Sequence, residues 1–213
     1  MSAQLEFYTN PMSRGQIVRW MLEEVGEPYD THILDYQSSM KSADYLAINP
    51  MGKVPAIRHD GKTVTECAAI CAYLAAAFPA AELGPKPKEM ADYYRWMFFA
   101  AGPVEQAVTN KAMGFTPTAE QERMAGYGNY DRVVDVIDQW LSGRDFVCGD
   151  RFTASDVYFG SQVMWGIAFG TLPKRTSFEE YAARLSTREA HRRAKEIDNG
   201  LIAAMSPSNL PEE

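Results

Sequence analysis

The chain has 213 residues, 46% of them hydrophobic and 23% charged, a balance that belongs to globular proteins with buried cores and gives room for two of them. No apolar run approaches the ~20 residues needed to cross a bilayer, and a net charge of −7 disfavours nucleic acid and anionic membranes as partners. Three cysteines (Cys67, Cys71, Cys148) and three scattered histidines (His32, His59, His191) offer neither a disulfide framework nor metal-ligand spacing, so reduced thiols and no metal are expected.

Met1-Ser2-Ala3-Gln4 runs into a strand pattern without a basic leader, so a cytoplasmic location is expected. Leu5 and Phe7 alternate with Glu6 and Tyr8 as a half-buried strand does, and Thr9-Asn10-Pro11 turns the chain. Val18, Met21, Leu22 and Val25 then make a helical stripe behind Ser13, closed by Gly26 and Pro28. Tyr29–Leu34 reads as a second strand in parallel with the first. Val54–His59 and Thr63–Thr65, joined at Asp60-Gly61, read as a hairpin, and Glu66–Phe78 as an alanine-rich helix. The order βαβ-ββα over residues 1–80 is that of a thioredoxin-like α/β domain.

Pro79, Gly84, Pro85 and Pro87 break the pattern, and residues 81–88 are taken as a linker. From 89 to 213 the pattern is all helical, a bundle domain. Its helix starts are expected at capping boxes formed by Thr118 with Gln121, Thr153 with Asp156, Ser177 with Glu180 and Ser186 with Glu189.

Chemistry concentrates between Asn49 and Cys67. Pro55 sits where a strand should begin, although proline cannot donate to a ladder; a cis Val54-Pro55 bond there would turn the N–H and C=O of Val54 toward an extended peptide. Glu66 and Cys67 stand at a helix start, where free N–H groups and the positive dipole end suit a small carboxylate.

Asn49-Pro50-Met51-Gly52-Lys53-Val54-Pro55-Ala56-Ile57, followed by Thr65-Glu66-Cys67-Ala68-Ala69-Ile70, resembles the glutathione-binding half of cytosolic glutathione S-transferases, and the chain resembles their bacterial serine-type members of theta, beta and nu kind. Phe152-Thr153-Ala154-Ser155-Asp156 is similar to the family's folding motif in the helical domain. The resemblance implies glutathione as co-substrate, bound by Lys53, Val54, Pro55, Glu66 and Cys67. Lys53 would face the glycyl carboxylate and Glu66 the γ-glutamyl amino group. Cys67 stands where the family has serine, which keeps the backbone N–H and removes the hydroxyl contact. Ser13 is implied as the residue that stabilises the thiolate, with Tyr8 and Asn10 as alternatives; a serine before a helix is equally a cap. Met12, Phe98, Met113 and Trp165 are implied for an apolar electrophile pocket, and a homodimer is implied as the assembly. The expected function is conjugation of glutathione to small hydrophobic electrophiles. The alternatives are a non-catalytic binding or regulatory module and a glutathione-dependent isomerase, dehalogenase or peroxidase. No cysteine lies between Tyr8 and Gly15, which disfavours thiol-disulfide exchange.

Overall fold

In the computed structural model, which describes residues 5–205, strand β1 (Leu5–Thr9) is central to a four-stranded mixed sheet of order β2-β1-β3-β4. Helix α1 (Gly15–Val25) follows β1, and β2 (Asp30–Ile33) returns parallel to it, with Phe7 opposite Thr31. A short helix α2 (Ala43–Leu46), absent from the sequence reading, precedes the antiparallel pair β3 (Ala56–His59) and β4 (Lys62–Thr65). Helix α3 (Cys67–Ala77) closes this βαβ-ββα order. The opening Met1-Ser2-Ala3-Gln4, on which the expectation of no leader rests, lies outside the described residues.

Strand alternation divides the core in two. Phe7 pairs in register with Ile57, and both are fully buried. Tyr8 and Ala56, on the opposite face, pack with Met40 and Tyr45 and are bordered by Leu34, Ile48 and Val54. The buried stripe of α1 comprises Ile17, Val18, Trp20, Met21 and Leu22, and the helix ends at left-handed Gly26, whose N–H bonds to Leu22 O at 2.9 Å.

The remaining helices are α4 (Met90–Phe99), α5 (Glu105–Ala112), α6 (Tyr130–Leu141), α7 (Ala154–Phe169), α8 (Thr176–Ser186) and α9 (Glu189–Met205). A π-helical turn at Ala100–Val104 contains Pro103 and joins α4 to α5, as expected where proline removes a ladder donor. The described chain forms two compact units, residues 5–81 with 188–205, and residues 82–187. The helical pattern predicts a second domain over 89–213, whereas α9 groups with the first unit. Its contacts explain this: buried Arg19 on α1 donates through Nε to Asp198 at 2.8 Å, Arg188 makes a two-pronged contact with Glu24, and Trp20 meets the His191 ring edge-on.

Within residues 82–187, Thr153 and Asp156 form the expected capping box of α7. The fully buried Asp156 carboxylate accepts from Thr153 N at 2.8 Å, Thr153 Oγ1 at 3.0 Å, Val147 N at 2.7 Å and Tyr181 Oη at 2.8 Å. Burial pushes its pKa up to about 6, against the pull of those four donors toward the charged form. Thr118 and Gln121 exchange both bonds of a box, but ahead of a single 3₁₀ turn. The other two boxes are absent. Ser177 lies inside α8 and donates to Asp138, and Ser186 ends α8 by bonding back to Ala183 O. The N-cap of α8 is Arg175, two residues before Ser177, so Ser177 has no helix start to cap and its hydroxyl donates to Asp138 on α6 instead.

Candidate functional site

The site is built from the ends of β1, α1 and α3 and from the loop before β3. Asn10, nearly fully buried, fixes the turn after β1: its Nδ2 donates to Leu34 O at 2.8 Å and its Oδ1 accepts from Met12 N at 2.9 Å. Ser13 N and Ser13 Oγ both donate to Asn10 O, at 3.1 and 2.6 Å, while Ser13 Oγ accepts from Gly15 N at 2.9 Å. Gly15 is required here, since a Cβ would lie 1.9 Å from Thr9 Oγ1. The start of α1 is thus pressed against the end of β1, with Ser13 half-buried at the junction.

The loop before β3 is held from behind. Lys53 O accepts from Tyr45 Oη at 2.6 Å and from Asn49 Nδ2 at 2.7 Å, and Lys41 Nζ donates to Gly52 O at 2.7 Å. Gly52 has φ of +56°, and a Cβ there would stand 2.9 Å from Met40 O, so a side chain is excluded on both counts. Val54-Pro55 is cis, as expected; Val54 is half-buried, Pro55 is buried and the Lys53 side chain is exposed. Among the described residues, no backbone hydrogen bond ties down the N–H or C=O of Val54.

Glu66 precedes α3 with φ of +68° and ψ of +118°, an uncommon conformation for a residue with a Cβ and one that clusters at functional sites. Its side chain is exposed and makes no capping bond. Cys67, 8% exposed, begins α3, and its thiol donates to Arg14 O at 3.6 Å. That contact brings the N-terminus of α3 beside the residue that follows Ser13, so the two helix starts meet. Cys71, one turn on, is fully buried, and desolvation holds its thiol well above the usual range, with nearby Cys67 adding to the effect.

Tyr8 is differently engaged. Its hydroxyl donates to Glu6 Oε1 at 3.2 Å, its ring stacks on His32 at 4.6 Å, and burial raises its pKa. Of the residues implied for the electrophile pocket, Met12, Phe98 and Met113 are 60%, 66% and 70% exposed, and Trp165 is half-buried against Phe169. Phe98 stacks on Tyr94. The structural supports Lys41, Tyr45 and Arg14 were missed in the sequence, and Asn49 stood there only as the head of a motif, since backbone-directed side chains leave no spacing signature. The single available signal was Asn49-Pro50, a turn starter. Among the described residues there is no group of three or more His, Cys, Asp or Glu able to hold a metal, and no helix is long and apolar enough to cross a membrane.

Comparison with known proteins places this geometry in context. The family model described as "Glutathione S-transferase, N-terminal domain" matches residues 12–77. Glutathione S-transferase GstB of Escherichia coli is 30% identical over 152 residues, 64% of this chain and 73% of that protein. GstA of Escherichia coli is 30% identical over 133 residues, 59% of this chain and 63% of that protein. The chain spans only about three fifths of the length of the first curated relatives it matches, 60% and 63% of two of them. Among solved structures, the transferase URE2P6 from Phanerochaete chrysosporium in complex with oxidized glutathione superposes with a TM-score of 0.74 at 23% identity, over 94% of this chain and 98% of that one.

Proposed function

The chain belongs to the glutathione S-transferase family, and from that premise we propose that it binds glutathione beside Ser13, Val54 and Glu66 and transfers the glutathione thiolate to small apolar electrophiles. The observation that carries the reading is the meeting of the two helix starts at the Cys67-to-Arg14 contact, which gathers N–H groups and positive dipole ends next to Ser13. In this reading the Val54 backbone pairs with the peptide as a strand would, exposed Lys53 faces the glycyl carboxylate, Glu66 the γ-glutamyl amino group, and the N–H of Cys67 the γ-glutamyl carboxylate. Pro55 holds the loop in shape.

A free thiol has a pKa near ~8.5 and is mostly protonated at neutral pH, so the site must stabilise the thiolate. Ser13 is suited to do this without leaving any group unpaired. Its hydroxyl proton can turn from Asn10 O to the sulfur, because Asn10 O keeps the N–H of Ser13 and Oγ keeps the N–H of Gly15. The bond from Gly15 N polarises the hydroxyl and makes it the better donor. Tyr8 would have to leave a carboxylate acceptor, and Asn10 already uses its carbonyl and one amide proton in the turn.

A second reading, a non-catalytic glutathione-binding module, is favoured by the same short bond from Ser13 Oγ to Asn10 O, which serves the fold alone if the hydroxyl never turns. Retention on immobilised glutathione with release by free glutathione tests the binding shared by both readings; no retention overturns both. Turnover of a small aryl halide electrophile by the retained protein separates them. We further propose the homodimer of this family as the assembly and the cytoplasm as the location. Light scattering at micromolar concentration tests the first, with a monomer mass as the contrary result.

A further inference from the structure

Residues of α4, of the second half of α6 and of the turn after it line a cleft of about 390 Å³ that the reading above leaves without a role. Its wall consists of Arg95, Trp96, Val136, Gln139, Trp140 and Arg144. The two indoles lie 4.8 Å apart, centroid to centroid, and both guanidiniums sit on them. Arg95 is 5.0 Å from the Trp96 ring and 5.4 Å from the Trp140 ring, and Arg144 is 3.9 Å from the Trp140 ring. Neither arginine has a carboxylate partner among the described residues. Of the acids near them in sequence, Asp145 pairs with Arg184, and Asp135 and Asp138 with Arg175, while Asp92, three residues before Arg95 on α4, forms no ion pair with it. Trp96 is 1% exposed, and its Nε1 is without a hydrogen-bond partner. In a chain of net charge −7, two arginines lining one cleft with no acid between them is an arrangement that needs an explanation beyond solubility.

Stacking settles what chemistry they offer. A guanidinium lying on a ring spends its face on the contact and keeps its in-plane N–H groups, which point outward in a fork suited to paired oxygens. Side chains held this way lose less rotamer freedom on binding than free surface arginines do. We propose that this cleft binds a phosphate monoester, with Arg95 and Arg144 gripping the dianionic phosphate and Gln139 and the apolar wall receiving the organic group. Two positive charges match a dianion, and the forks match its oxygens. The cleft is far larger than a phosphate group, so the ligand carries a body.

The test is titration of the full chain with inorganic phosphate and with phenyl phosphate, against acetate and chloride at equal ionic strength, following tryptophan fluorescence and calorimetric heat. Saturable binding in the millimolar range is expected for phosphate, tighter for phenyl phosphate, with a fluorescence change because the guanidiniums quench or shift the indoles they touch. The double variant Arg95→Gln with Arg144→Gln should weaken binding about tenfold or more, with retention on immobilised glutathione unchanged. Arg95→Lys with Arg144→Lys, which keeps the charge and removes the forks, should bind between the two. Absence of saturation, equal response to acetate, or undiminished binding in the glutamine variant overturns the proposal.

Discussion

Replacing Ser13 by alanine removes one atom with two bonds, and the two roles assigned to that atom have different signatures. In the structure Oγ donates to Asn10 O and accepts from Gly15 N. After the change Asn10 O still holds the N–H of Ala at that position, but Gly15 N loses its acceptor, a capping loss of ~1 kcal/mol that lowers the melting temperature by roughly 2–4 °C. If the hydroxyl also donates to bound thiolate, a charged bond worth ~1.5–3 kcal/mol disappears as well. The bound thiol's pKa then rises by roughly one to two units, and conjugation near neutral pH falls about tenfold to a hundredfold. Because the deficit lies in ionisation, it shrinks as pH is raised through the new pKa, while glutathione affinity changes little. The assay is the pH dependence of kcat at saturating glutathione, alongside thermal melting, for wild type and variant. A lowered melting temperature with an unshifted pH profile refutes the assignment, and Tyr8→Phe and Asn10→Ala follow in the same assay.

Cys67→Ser restores a hydroxyl next to the N–H proposed to meet the γ-glutamyl carboxylate, and glutathione should bind about fivefold tighter by calorimetry, near ~1 kcal/mol; unchanged or weaker binding speaks against that placement. Asp156→Asn must turn an amide NH₂ toward a backbone N–H whichever way it flips, since one oxygen of Asp156 receives Val147 N and the other Thr153 N. It should cost ~3 kcal/mol or more, seen as a fall of roughly 6–12 °C in melting temperature, and a fall of under ~2 °C contradicts it. Arg151, with help from Lys86 N, holds the Glu89 carboxyl below its ordinary pKa. A depressed carboxyl stabilises the fold above its unfolded pKa and loses that contribution as pH falls through the folded one. The melting-temperature gap between wild type and Glu89→Gln should therefore be full at neutral pH and close on acidification below the usual carboxylate range; a gap independent of pH fails the prediction.

The parts of the fold that depend on local periodicity were readable in the chain. Leu5 and Phe7 alternate, the α1 stripe repeats at helical spacing, and Thr153 with Asp156 caps α7 as written. Pro55 was equally legible, because a residue that cannot donate advertises its own exception. Long-range choices were not. Nothing local tells Ser177 to donate to Asp138, thirty-nine residues away, rather than to cap a helix start. The four-residue α2 is too short to show a period. The placement of α9 was hidden for the same reason as the Ser177 bond: Arg19 has Glu23 and Glu24 close by in sequence, and nothing local says that its partner is Asp198. At the site, Ser13 and Glu66 were named for their side chains, yet the junction rests equally on the carbonyls of Asn10 and Arg14, which every sequence has and none displays.

The return of α9 to the first unit has a consequence for the order in which the protein is made. Residues 82–187 are in effect an insertion, and the ribosome delivers Arg19 long before Asp198. Until the last helix emerges, α1 carries a guanidinium meant for a buried setting together with the uncovered indole of Trp20. The helical unit has all its residues first and can complete its core while the earlier half waits, reversing the usual N-terminal-first sequence. A fragment ending near residue 81 would hold every group named at the glutathione site and still lack the carboxylate that neutralises its own interior, so it is a poor substitute for the whole chain in binding studies.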